Sequence, residues 1–246
     1  MLSHDNIYWE AESANDFAQF AEAKEVIISY LPLSHIAGND IFTLVFVLYI
    51  KNLIIIDTNL KFSGQMVDIW APVLRKNTVY FADKNALKGT LLETLKEVRP
   101  TFLFGVPRVW EKIMEGMLAK GKLVKGLKRK IADACKQAGL KHHLEGKNGV
   151  MYTVGQKLIY KKVREALGLD RCHSFFTGAA PISQEVLNYF LSLDIVLLEL
   201  YGMSETSGAH TMNQHQNCKF GTVGVTLPGM KTKLDQKDEK GQGNLK

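Results

Sequence analysis

Two short stretches hold the residues best suited to chemistry. Tyr201-Gly202-Met203-Ser204-Glu205-Thr206 sets two hydroxyls and a carboxylate beside a glycine, and Thr177-Gly178-Ala179-Ala180-Pro181 lies just upstream. An apolar run, Ile195-Val196-Leu197-Leu198, leads into the first, and Ser174-Phe175-Phe176 leads into the second. Both runs read as buried strands. Breaking at Gly202 into a loop, the first would offer its polar groups at a strand end, where α/β folds handle phosphate and metal ions. Glycine lets a phosphate approach the main chain, hydroxyls donate to its oxygens, and a carboxylate can hold Mg²⁺. Gly178 to Pro181 is small enough for a flat ring to lie against the backbone. A Gly-Ser-Glu sequence by itself is most often only a turn. Two such motifs in order, each at a strand terminus, are far more specific.

The elements that must position them follow a β-α rhythm. Residues 6–22 suit a helix capped by Asn6, with Phe17, Phe20 and Ala21 on its apolar face. Strands are expected at 26–31, 78–81, 101–104, 172–176 and 195–200. Helices are expected at 86–98, at 107–140 with interruptions, and at 150–167. Another is capped by Ser183, with Glu185 in its first turn and Val186, Leu187, Phe190 and Leu191 at helical spacing. Strands that are apolar throughout and alternate with helices predict an α/β fold of layered, largely parallel sheets with flanking helices.

The 246 residues fit one large or two small domains, and 46% hydrophobic with 23% charged residues is ordinary for a globular chain. Cys135, Cys172 and Cys218 show neither metal nor disulfide spacing, which favours a reducing compartment. The N-terminus has no basic and apolar leader pattern, so nothing suggests secretion. The net charge of +6 is concentrated between Lys120 and Lys147, opposed there only by Asp133 and Glu145. That stretch reads either as a solvated helix face or as a surface for anionic lipid or a phosphorylated cofactor. No aromatic residues interleave the charges, which argues against nucleic acid. Residues 39–56 are apolar but broken by Lys51 and Asn52, short of the roughly 18 uninterrupted residues of a spanning helix. They read as a buried helix plus strand or as a short membrane-seeking insertion.

Four ordered motifs together resemble one family. Leu31-Pro-Leu-Ser-His-Ile-Ala-Gly38, Phe104-Gly-Val-Pro-Arg-Val-Trp-Glu-Lys-Ile113, the Thr177–Ser183 block and Tyr201–Thr206 are similar to the adenylate-forming enzymes. Among these they resemble most the long-chain fatty acyl-CoA synthetases of the bubblegum type. The resemblance implies activation of a fatty acid with ATP to an acyl-adenylate and pyrophosphate, followed by transfer to the thiol of CoA. It implies that Gly178, Ala179, Ala180 and Pro181 pack against adenine and that Tyr201 stacks on the other side. Gly202, Met203, Ser204, Glu205 and Thr206 complete the nucleotide site, with Ser204 on the α-phosphate and Glu205 holding Mg²⁺. His35 would sit near the fatty carboxylate, where an imidazole can donate to an oxyanion. Pro107 to Trp110 would line or support the acyl pocket, or simply pack as a helix. The family setting is cytoplasmic, associated with the endoplasmic reticulum or other membranes.

The departures set further expectations. The family's glycine- and threonine-rich phosphate loop, its ribose-binding aspartate, its hinge and its small C-terminal domain are not found in residues 1–246. The chain thus reads as part of the large N-terminal domain, a core fragment inactive alone, since each missing electrostatic contact typically contributes about 10²–10³ in rate. Deleting residues 39–64 restores the family pattern without a seam, so that segment reads as an insertion or retained intron. A reading from another class is a non-catalytic, membrane-associated isoform. A luciferase or peptide-synthetase domain fits the Phe104–Ile113 block and the Gly-Ala-Ala-Pro spelling less well.

Overall fold

A computed structural model describes residues 3–30, 66–83, 85–235 and 244–245. His35, its surrounding motif and residues 39–64 lie outside the described residues.

The first helix, α1 (His4–Phe17), is capped by Ser3 rather than by Asn6. The Ser3 hydroxyl accepts from the Asn6 amide at 3.2 Å, and the Asn6 side-chain oxygen accepts from Ser3 N at 3.1 Å. This is a reciprocal capping box, with Asn6 as its third helical residue. The helix stops well short of residue 22, and Gln19 and Ala23 both have left-handed backbone, φ 58° and 55°. β1 (Val26–Ser29) follows. A π-helical turn, Met66–Trp70, then runs into α2 (Ala71–Arg75), and β2 spans Thr78–Phe81. The helix expected over 86–98 is split at Gly89 into a 3₁₀ turn, Ala86–Lys88, and α3 (Leu91–Val98). β3 (Phe102–Gly105) leads into α4 (Pro107–Lys122), with proline in the first turn where its missing N–H costs nothing. α5 (Gly126–Glu145) comes next. α6 (Val150–Gly155) passes through a π-helical turn, Gln156–Tyr160, into α7 (Lys161–Leu167). After β4 (Ser174–Thr177), α8 (Gln184–Leu191) starts at Ser183, whose hydroxyl accepts from Val186 N at 3.3 Å. β5 (Leu197–Met203), β6 (Gly208–Met212) and β7 (Val225–Thr226) follow. A short pair, β8 (Leu234–Asp235) and β9 (Asn244–Leu245), comes last.

β1 and β2 pair in parallel, Val26 opposite Thr78. A second sheet has the order β3-β4-β5-β6-β7. Its first three strands are parallel, with Phe102 opposite Ser174 and Phe175 opposite Leu197. Thr101 N donates to Val26 O at 2.9 Å, so β1 lies beside the start of β3. β6 and β7 add antiparallel strands at the far edge. The layered, largely parallel α/β expectation holds, with that antiparallel edge added.

Successive strand residues face opposite sides of the sheet. Leu103, Phe175 and Leu197 point to the side covered by helices and pack with Leu95, Trp110 and Phe190. Phe102, Phe104, Phe176 and Leu198 point the other way, with Met212 and Leu227, towards the end of α1 and Phe20. Trp110 is fully buried, and its ring meets Phe190 edge-on at 5.2 Å. Its Nε1 donates to Gly105 O at 3.0 Å and approaches Phe176 O at 3.2 Å. One indole thereby ties together the carboxyl ends of β3 and β4. Trp110→Phe keeps most of the packing but leaves those carbonyls without their donor, a loss of about 1–3 kcal/mol. Urea unfolding should show it, and an unchanged midpoint would mean the bond contributes nothing. Among the described residues, no helix is long and apolar enough to cross a membrane.

Candidate functional site

The two motifs meet because β4 and β5 are parallel neighbours, Thr177 opposite Glu199. The chain leaves β4 at Gly178, where the backbone lies against β5. A Cβ at this position would come within 2.7 Å of Leu200 Cδ1. Ala179 then takes φ 67°, an uncommon backbone for a residue with a side chain and one often found at functional sites. Ala180 and Pro181 are exposed.

The strand does not break at Gly202. β5 continues to Met203 and forms a hairpin with β6, with a register shift between Tyr201 and Gly202. Gly202 pairs with Ala209 inside that hairpin, and a Cβ on it would stand 1.9 Å from Gly208 O. The loop is therefore only the 3₁₀ turn Ser204–Thr206. Thr206 builds it: its hydroxyl accepts from Met203 N at 3.3 Å and donates towards the Met203 and Gly208 carbonyls at 3.0 and 3.1 Å. Ser207, φ 65°, and Gly208, φ 148°, return the chain to β6. Ser204 and Glu205 are left exposed on the turn, while Thr206 shapes it from within.

Between the sheet and α1 lies a cavity of about 260 Å³. Ala179, Gly202, Met203 and Ser204 all line it, so residues of both motifs share one space. Its remaining surface is mostly apolar, chiefly Phe102, Phe104, Phe176, Leu200 and Met212, with Ala14 and the polar Asn15 of α1 and its C-cap Ala18 closing one side. The sequence reading missed this apolar floor. Its signal was present in Phe102, Phe104 and Phe176, spaced to share one face of adjacent strands. Trp110 packs on the opposite face of the sheet and supports the cavity from behind, while Phe104 takes the lining position. Tyr201 is half-buried and does not line the cavity.

A buried acid stands beside the turn. Glu10 of α1 is fully buried against Gly208, and among the described residues neither carboxylate oxygen has a side-chain hydrogen-bond partner. Burial pushes it up to about 8, and the nearby Ala209 amide offsets this only in part. On β5, burial likewise raises Glu199, with the Gly221 backbone opposing. Among the described residues, no group of three or more His, Cys, Asp or Glu side chains could hold a metal ion. Glu205 offers a single exposed carboxylate. That suits Mg²⁺ arriving on a nucleotide, because Mg²⁺ is usually held by one or two carboxylates together with substrate phosphates.

Residues 54–244 match the family described as AMP-binding enzyme. The chain is similar to the long-chain-fatty-acid–CoA ligase ACSBG2 of Xenopus laevis, 44% identical over 253 residues, covering 100% of this chain and 31% of that protein. It is 40% identical to ACSBG2 of Homo sapiens, covering 100% of this chain and 34% of that protein. With the long-chain-fatty-acid–CoA ligase heimdall of Drosophila melanogaster it shares 36% identity, covering 100% and 33%. The chain thus spans about a third of the length of the curated relatives it matches. Apo MatB from Rhodopseudomonas palustris superposes with a TM-score of 0.58 at 18% identity, covering 98% of this chain and 33% of that one. o-Succinylbenzoate CoA synthetase (MenE) from Bacillus subtilis, in complex with the acyl-adenylate intermediate OSB-AMP, gives 0.56 at 13% identity, covering 98% and 34%. These two show the fold. With the match over residues 54–244 and the two motifs meeting at one cavity, the chain belongs to the AMP-binding enzyme family.

Proposed function

We propose that the chain supplies the acyl and α-phosphate half of a long-chain fatty acid–CoA ligase. The observation that carries this reading is the apolar cavity whose wall includes Gly202 and Ser204 of the phosphate-type turn. A fatty chain in the cavity would present its carboxylate at that turn. The carboxylate oxygen attacks the α-phosphorus of ATP and the bond to pyrophosphate breaks; the CoA sulfur then attacks the acyl carbonyl and AMP leaves. Gly178 to Pro181 and Tyr201 would hold the adenine, and Ser204 would donate to the α-phosphate. Glu205 would hold Mg²⁺, which when bound offsets phosphate charge. His35 would stand near the reacting carboxylate. The full reaction belongs to the complete protein, and acyl-adenylate binding to this chain. Free thiols at Cys135, Cys172 and Cys218 support a cytoplasmic setting. Peripheral contact with the endoplasmic reticulum or another membrane suits a substrate that dissolves in lipid.

Titration with non-hydrolysable acyl-sulfamoyl adenosines of increasing chain length tests this. Affinity should rise about fourfold per added methylene until the cavity is filled. Ser204→Ala should weaken every member about tenfold or more, the loss expected for a hydrogen bond to a charged group. Equal affinity for acetyl and palmitoyl analogues would sink the acyl assignment. Absence of saturable binding would favour a non-catalytic isoform.

A further inference from the structure

The tip where α4 turns into α5 stands outside both sheet cores. From Leu118 to Ile131 every residue except Gly121 is exposed. This run carries Lys120, Lys122, Lys125, Lys128, Arg129 and Lys130 and no acidic residue. Among these cations Leu123 and Leu127 are 80% and 73% exposed, and Leu118, Val124 and Ile131 are exposed beside them. Single exposed aliphatic residues are ordinary, but a cluster ringed by one sign of charge is not.

The geometry fixes which way the tip faces. At 3.6 residues per turn, Leu127 and Ile131 share one stripe of α5, with Lys128 and Lys130 on its two flanks. Arg129 lies on the opposite side, where its Nε donates to Asp133 Oδ2 at 2.9 Å and a terminal nitrogen donates to Gly121 O at 3.0 Å. Arg129 therefore fastens α5 to the end of α4 and neutralises Asp133, the first acid beyond the tip. The fastening leaves the leucine stripe and its lysines facing away from the hairpin.

We propose that this tip docks on an anionic lipid bilayer, with Leu123 and Leu127 among the acyl chains and the lysines at the headgroups. Long lysine stems can lie along apolar surface while their ammonium groups reach the phosphates and carboxylates of the lipid. Nucleic acid is disfavoured because residues 118–131 contain no aromatic side chain for stacking. An acidic protein could pair with the lysines but would leave the leucines in water. The inference gives the peripheral membrane contact proposed above a specific surface. Its test reads lipid binding, so it can fail while the ligase reading stands.

Co-sedimentation with phosphatidylcholine vesicles, with and without phosphatidylserine, measures the partitioning. The wild-type chain should bind the phosphatidylserine vesicles, and binding should fall with salt. Lys125→Gln with Lys128→Gln should lower it about 25-fold, roughly fivefold for each lysine at an anionic surface. Leu123→Asp with Leu127→Asp should lower it at least 100-fold, since burying each leucine contributes about tenfold or more. Both pairs alter exposed positions, and circular dichroism checks that the fold is kept. A second readout separates the tip from any other lipid-binding segment: Leu127→Trp should add blue-shifted emission that brominated lipid quenches. Unchanged binding by both double variants, or an unquenched tryptophan at 127, overturns the proposal. Retention on polyglutamate without vesicle binding also overturns it and assigns the surface to an acidic protein.

Discussion

A chain carrying Gly202→Ala is expected to lose on the order of 4 kcal/mol of stability, and its affinity for acyl-adenylate analogues with it. The added methyl would sit 1.9 Å from Gly208 O, which is backbone of the paired strand and not the end of a flexible side chain. Relief requires β5 and β6 to separate just where the Thr206 hydroxyl ties Met203 to Gly208. That bond closes the turn presenting Ser204 and Glu205, so the steric cost and the loss of the site have one cause. Gly116→Ala is the matched control. It lies within α4, and its Cβ would meet nothing within 4 Å. There alanine should stabilise by about 1 kcal/mol, the helix propensity difference, and leave binding alone. Calorimetric melting and analogue titration of both variants decide the matter. A Gly202→Ala chain that melts and binds like the wild type would remove Gly202 from the site.

What could be read from the sequence was local, and what could not depended on faces and partners. Val26, Thr78, Phe102, Ser174 and Leu197 all lie in strands because short apolar runs between helices can hardly do anything else in a parallel sheet. Tyr201–Met203 looked like loop because a glycine beside polar residues resembles one. Only pairing with β6 makes it strand, and the shift at Tyr201/Gly202 hides the alternation that would have shown it. Ser3 and Asn6 are both good caps, and the reciprocal bonds between them, not residue type, decide which one is. The site motifs were visible as glycine, hydroxyl and carboxylate, whereas the apolar cavity beside them was not, because it needs Phe104 and Phe176 on one face and Trp110 on the other. Glu10 is the instructive case. It occupies an apolar-face position of α1 between Ile7 and Ala14, and that spacing alone could have marked it as buried.

Glu10 should make the stability of this chain fall as pH rises through the neutral range. Its folded pKa is raised by burial to about 8, against 4.5 for an unperturbed carboxyl. Below about 4.5 both states hold the proton, and this group adds no pH dependence. Between 4.5 and 8 the folded state keeps the proton that the unfolded state releases, so each pH unit costs about 1.4 kcal/mol. From pH 5.5 to 8 the loss is about 3 kcal/mol, and above 8 it levels off. Asp68, raised to about 7 by burial with the Ser29 hydroxyl opposing, adds about 2 kcal/mol of the same sign before levelling near 7. Glu25 acts in the opposite direction. Burial works to raise it, but the Thr101 hydroxyl and His173 outweigh that and hold it low, so its contribution is lost only in acid. Urea unfolding at pH 5.5 and pH 8 should show the decline, and Glu10→Gln should remove the larger part of it. Because Glu10 presses on Gly208, its ionisation also loads the hairpin that carries Ser204, so analogue affinity should weaken above pH 8 in the wild type and not in the glutamine variant. A wild-type stability that is level or rising between pH 5.5 and 8 would show that Glu10 is ionised in the folded chain and that its carboxylate has a partner or water access.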